Sequence, residues 1–122
     1  MREILIDTSA ILALTNHTAD ARLTSVLSEG PSSISIITYA EVARITIKKF
    51  GMDRWSEAKS DLERMRIIGL DTETCEIAAL SAQKHNLAIA DSLIYASALK
   101  NGLPLLTCDA DFKGKKDVIY IK

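Results

Sequence analysis

Five short apolar runs recur along the chain, and helical periodicity fills the intervals between them. The runs are Ile4-Leu5-Ile6, Ser33-Ile34-Ser35-Ile36, Ile67-Ile68-Gly69-Leu70, Leu105-Leu106-Thr107 and Val118-Ile119-Tyr120-Ile121. Each has the length and side-chain character of a buried strand. Between them the spacing predicts helices over Ser9–Leu14, Ala19–Ser28, Thr38–Phe50, Asp53–Met65, Thr72–His85 and Asp91–Lys100. Gly51 and Gly102 stop two of these helices. Asn86 supplies a left-handed stop for a third, because Asn tolerates that conformation. In the Thr72–His85 helix, Ile77, Ala78 and Leu80 are expected to face inward. Pro31 and Pro104 each precede a predicted strand. Alternating strands and helices imply an α/β fold, a largely parallel five-stranded sheet with helices on both faces. In such sheets ligands bind outside the carboxyl ends of the strands. The residues just after each strand therefore carry the functional information.

Composition narrows the class. The chain has 122 residues, of which 48% are hydrophobic and 25% charged. That suits a single domain spanning 1–122 with its own core, without disulfide staples. No run of apolar residues reaches the ~18 needed to span a membrane. The opening Met1-Arg2-Glu3-Ile4 leads into an apolar stretch too short for a signal peptide, so the expected location is cytoplasmic. Cys75 and Cys108 sit in apolar patterns and read as small buried hydrophobes. His17 and His85 have no neighbouring Cys or second His, which argues against zinc. The net charge of −1 decides nothing about nucleic acid, since a basic rim can surround an acidic centre.

Four strand-to-helix or helix-start positions carry an acid. Asp7 directly follows the first strand, where it could serve as a helix N-cap or as a site carboxylate. Glu41 lies three residues after Thr38, the spacing of a capping box, yet also where a site acid would sit. Asp91 opens the apolar helix Asp91–Lys100 as either its cap or a functional group. Asp109 and Asp111 follow the fourth strand, where Asp is also a common turn residue. The other acids, such as Glu57, Asp61 and Glu63, alternate with Lys59 and Arg64 on a solvated helix face. If Asp7, Glu41, Asp91 and Asp109 converge, each pair at ~4 Å repels by roughly 4 kcal/mol at an effective dielectric near ~20. Such a cluster persists only with protons or cations bound, and oxygen ligands suit magnesium or manganese.

The ordered set Ile4-Leu5-Ile6-Asp7-Thr8-Ser9, Glu41, Ala90-Asp91-Ser92-Leu93-Ile94-Tyr95-Ala96-Ser97-Ala98 and Leu106-Thr107-Cys108-Asp109-Ala110-Asp111-Phe112 resembles the PIN-domain family. Within it, the likeness is to the VapC-like toxins of prokaryotic toxin–antitoxin pairs. The resemblance implies a strand order 3-2-1-4-5, with Asp7, Glu41 and Asp91 as the metal-binding core and Asp109 as the fourth acid. It assigns Thr8 and Thr107 as hydroxyls lining the site and Asp111 as a helper. It further implies an endoribonuclease using Mg2+ or Mn2+, a small antitoxin as partner, and a homodimer. Many relatives carry Gly at the position of Asn86, a departure the turn can absorb.

On this reading Asp7, Asp91 and Asp109 hold one cation, and Glu41 holds a second or orients the attacking water. Arg44, Lys48, Lys49, Lys113, Lys115 and Lys116 are the candidates for contacting the RNA backbone. Aromatic residues make up only 5% of the chain, which argues against extensive base stacking. Ala40, Val42, Ile45, Ile47, Phe50 and Trp55 exceed what one helical face needs, so the Ala21–Trp55 region is either a partner surface or core. Other classes fit worse. A receiver domain needs adjacent acids after the first strand, and a haloacid-type phosphatase needs an Asp-x-Asp pair there. The remaining alternative is a PIN-like module that binds RNA or protein without cutting.

Overall fold

The computed structural model describes residues 2–122. The elements are β1 (Ile4–Ile6), α1 (Thr8–Thr15), α2 (Ala21–Leu27), β2 (Ser32–Ser35), α3 (Ile36–Phe50), α4 (Met52–Leu62), β3 (Arg66–Ile68), α5 (Thr72–His85), α6 (Ile89–Lys100), β4 (Leu105–Thr107) and β5 (Val118–Tyr120). A single 3-10 turn, Ala110–Phe112, lies between β4 and β5. The strands form one sheet in the order β3-β2-β1-β4-β5. Every neighbouring pair is parallel. Both the order and the direction match the expectation from sequence.

β1 and β4 are buried along their whole length, while the edge strands β3 and β5 are only partly covered. Ile4 and Ile6 point into a cluster with Ile34, Val42, Trp55, Leu62 and Leu106, built under α1 to α4. Leu5 points the other way, toward Ile94, Tyr95, Ala98 and Phe112 beneath α6. This is the period of two expected of a strand, with both faces covered rather than one. Ser33 and Ser35 are also fully buried in β2, and the Ser33 hydroxyl donates to the Ile4 carbonyl at 3.2 Å. Their alternation with Ile34 therefore does not mark a solvent face. Among the described residues no helix is long and apolar enough to cross a membrane.

Several local expectations shift. β2 ends at Ser35, and the chain enters α3 with no linker. Ser35 is the N-cap, its hydroxyl accepting from the Ile37 amide at 3.1 Å. Thr38 therefore does not cap α3, and Glu41 is not a capping-box partner. Ile36 leaves the strand and is 40% exposed at the helix start. α6 begins at Ile89, so Asp91 lies inside its first turn, and no side chain caps this helix. α5 buries only Thr74, Ala78 and Ser81 and packs chiefly on α6. Leu80 is consequently 72% exposed, not inward, and Cys75 is exposed rather than a buried hydrophobe. Asn86 does adopt the left-handed conformation, with φ 53° and ψ 44°.

β1 is the central strand of the five, with β2 and β4 bonded to its two edges. Ile34 on the neighbouring β2 has no exposed surface, so truncating it leaves a cavity that rigid strands cannot collapse. We expect Ile34→Ala to lower the unfolding free energy by about 2–5 kcal/mol, read from the urea midpoint. An unchanged midpoint would mean that this cluster does not hold the sheet together.

Candidate active site

The strand order reverses around β1, whose carboxyl end lies between those of β2 and β4. This is the position at which open α/β sheets form a crevice. Asp7 leaves the end of β1 and N-caps α1, its Oδ1 accepting from the Ala10 amide at 3.1 Å. Capping leaves room for other contacts. Oδ1 also accepts from the Ser9 hydroxyl at 2.6 Å, and Oδ2 accepts from the Thr107 hydroxyl at 2.7 Å. Asp7 is 3% exposed. Burial pushes its carboxyl above the ordinary value, and the hydroxyls and amides oppose that push only in part.

Glu41 stands in the second turn of α3 and reaches across to α1. Its Oε1 accepts from the Thr8 hydroxyl at 2.6 Å, and the Thr8 oxygen lies 3.2 Å from the buried Thr38 hydroxyl. Thr8 has one proton, already committed to Glu41, so Thr38 is the natural donor into Thr8. Asp91 comes from the first turn of α6, which starts at the carboxyl edge of the sheet and runs away from it to the amino edge, where β4 begins. Asp109 follows β4 and accepts from the Asp111 amide at 2.9 Å, so the turn reading of that residue is also correct. Carboxylate oxygens of Asp91, Asp109 and Asp111 lie within 4.8 Å of one another.

The electrostatics join these pieces. Asp91 is pushed up from 3.8 to about 6, first by burial and then by the charges of Asp109, Glu41, Asp7 and Asp111. Every acid singled out in the sequence thus acts on the same carboxyl. Asp111, expected as a helper, stands in the tight group itself. The donor set is all oxygen, strongly anionic and half-buried, which fits a hard divalent cation.

The candidate cations divide into two groups. Arg44, Lys48 and Lys49 line a cleft of about 250 Å3 with Leu12 and Ile45, and Arg44 is one turn beyond Glu41 on α3. Lys113 sits 5.9 Å from the centre of the Tyr120 ring, and Lys115 and Lys116 follow it after the 3-10 turn. Among the described residues no carboxylate pairs with any of the six. Of the apolar side chains noted on α3 and α4, Val42 and Trp55 are core, whereas Ile47 is 39% and Phe50 58% exposed. Sequence reading overlooked Ser9 and Thr38 as parts of the site. The available signal was their place one strand or one turn from an acid, but small hydroxyls at helix starts are too common to stand out.

Comparison with known proteins gives this geometry a family. Residues 4–117 match the PIN domain. The chain belongs to the PIN-domain family. Structurally similar proteins include a toxin–antitoxin complex from Klebsiella pneumoniae, at 26% identity and TM-score 0.82, covering 95% of each chain. The sarcin-ricin loop cleaving toxin VapC20 of Mycobacterium tuberculosis shares the fold at 21% identity and TM-score 0.73, with 93% of this chain and 95% of that one covered. FitAcB from Neisseria gonorrhoeae shares it at 24% identity and TM-score 0.75, with 98% and 96% covered. A search of curated proteins gives no match. This PIN domain thus shares its fold with VapC toxins, and the PIN family is one of nucleases.

Because its folded value is raised, Asp91 destabilises the metal-free protein when ionised. The penalty is absent below the ordinary 3.8, grows as pH rises toward about 6, and is complete above that. Asp91→Asn should therefore raise the melting temperature of metal-free protein near ~pH 8 by a few degrees, and the gain should vanish near ~pH 3.5. A gain that stays constant over this range would sink the electrostatic explanation.

Proposed function

We propose that this PIN domain, acting as one unit over residues 1–122, is a metal-dependent endoribonuclease that hydrolyses RNA phosphodiesters. We assign it as the toxin of a VapBC-like pair, working in the cytoplasm. The observation that supports this most is the convergence of Asp109, Glu41, Asp7 and Asp111 on the raised carboxyl of Asp91. A structural set of caps and turns would have no reason to share one field.

In this reading Asp7, Asp91, Asp109 and Glu41 hold Mg2+ or Mn2+, with Asp111 beside them. The bound ion would neutralise the acids and the phosphodiester together and stabilise charge on the leaving oxygen. The chain's own groups do the positioning. Thr107 and Ser9 saturate much of Asp7, leaving it a lone pair on Oδ2 to offer. Thr8 occupies Oε1 of Glu41, while Oε2 takes no hydrogen bond among the described residues. Glu41 can therefore accept a proton from an attacking water on that free oxygen. Arg44, Lys48 and Lys49 on one flank, and Lys113, Lys115 and Lys116 on the other, supply positive charge to the RNA backbone.

The partner follows from the same reading. Solved relatives include toxin–antitoxin complexes, and a small antitoxin is the partner we assign. Ile11, Leu14, Phe50, Ala58 and Leu62 line a groove of about 280 Å3 between α1, α3 and α4. It overlaps the apolar region singled out in the sequence, and an antitoxin segment is the occupant proposed for it. We also assign a homodimer, for which the exposed Ile36, Leu80 and Ile89 offer apolar surface.

Purified protein incubated with structured RNA should cleave it in Mn2+ or Mg2+ and stop when EDTA is added. Asp91→Asn should fall to background in the same assay while keeping its cooperative unfolding. Binding of RNA by the wild type with no metal-dependent cleavage would overturn the enzyme reading in favour of a non-cleaving module. Cleavage retained by Asp91→Asn would overturn the assignment of the site.

A further inference from the structure

We infer that Ser9 is a positioning residue. Its single hydroxyl locks the loop that carries Asp109 to the carboxylate of Asp7, and so sets the spacing of the acids before any ion arrives. This inference rests on the metal-site reading above and assigns a role that neither the strand pattern nor the acid set supplies.

The atoms form two parallel legs. In one, the Cys108 amide donates to Ser9 Oγ at 3.0 Å, and the Ser9 hydroxyl donates to Asp7 Oδ1 at 2.6 Å. In the other, the Asp109 amide donates to Thr107 Oγ1 at 2.9 Å, and the Thr107 hydroxyl donates to Asp7 Oδ2 at 2.7 Å. Successive amides of the loop after β4 are thus each relayed through one hydroxyl to one oxygen of Asp7. The proton count is closed. Ser9 and Thr107 have one proton each, and both go to Asp7, so their mutual approach of 3.3 Å carries no hydrogen bond while Asp7 is ionised.

The two legs are not equivalent. Thr107 belongs to β4, which already pairs with β1, so its leg repeats a link the sheet makes. Ser9 belongs to α1, and its bond to Cys108 joins the helix to the loop, spanning 99 positions of sequence. Without Ser9, the Cys108 amide loses its acceptor and the loop is held to Asp7 from one side only. Charge-assisted bonds to a carboxylate are stronger than neutral ones, and each donor in such a chain polarises the next. A ligand-orienting partner of this kind typically changes metal affinity by about 10–100-fold.

The matched control is Ser33. Its hydroxyl is also buried and hydrogen-bonded, to the Ile4 carbonyl at 3.2 Å, but it touches no acid. The experiment compares wild type, Ser9→Ala and Ser33→Ala in three measurements: thermal unfolding, amide hydrogen exchange of metal-free protein, and Mn2+ titration followed by the paramagnetic resonance of free Mn2+. Ser9→Ala should exchange the Cys108 amide at least ~10-fold faster and bind Mn2+ about 10–100-fold more weakly, while Ser33→Ala changes neither. Wild-type Mn2+ affinity in Ser9→Ala, or equal weakening in both variants, would reduce Ser9 to an ordinary structural hydroxyl. If Ser9→Ala does not unfold cooperatively, Ser9→Cys, near in size but with only a weak S–H donor, is measured in its place against the same outcomes. A wild type that takes up no Mn2+ would instead overturn the metal-site reading itself, and the role of Ser9 with it.

Discussion

The repulsion among carboxylates at the carboxyl edge of the sheet is the constraint around which this molecule is arranged. Asp91 feels four other acids and loses hydration as well, and its carboxyl rises to about 6 as a result. A fold that assembles such a cluster gives up stability to do so. That cost has to be met by the remainder of the chain. It is met by strands buried on both faces and by two apolar clusters that sandwich the sheet. A multivalent cation among these carboxylates would relieve that repulsion.

Rigidity is the second requirement. Repelling groups on flexible loops would move apart, and the site would dissolve into the solvent. Here Asp7, Glu41 and Asp109 are tied at their bases. Asp7 caps α1 and receives two hydroxyls, Glu41 receives Thr8, and Asp109 caps the 3-10 turn that follows β4. The capping role and the site role are thus not alternatives for Asp7 and Asp109. One lone pair is spent on the helix or turn, which orients the carboxylate, and the remainder faces the crevice. Asp91 has no such tether and relies on the packing of α6, whose inner side is almost wholly buried.

Much of this was legible in the chain. Strand–helix alternation, the parallel sheet and the positions of Asp7, Glu41, Asp91 and Asp109 follow from periodicity and from the rule that ligands collect at strand ends. The failures were local and have local causes. Leu80 fits a helical stripe, but α5 packs on α6 through small residues and leaves Leu80 outside. Thr38 and Glu41 have capping-box spacing, but a strand that runs straight into a helix moved the cap to Ser35. Cys75 sits in an apolar pattern whose outer half is solvent.

The sequence by itself determined which segments become strands and helices, and which acids stand at their ends, because hydrophobic period and turn chemistry act over a few residues. Only the tertiary structure decided which hydroxyl meets which carboxylate. Ser9 reaches Cys108, and Thr107 reaches Asp7, because the parallel register sets Leu5 against Leu105 and Ile6 against Leu106. Contacts across a hundred positions depend on that register, and no local pattern encodes it. Burial is likewise a property of the assembled layers, so the raised carboxyl of Asp91 could appear only once helices and sheet had closed around it.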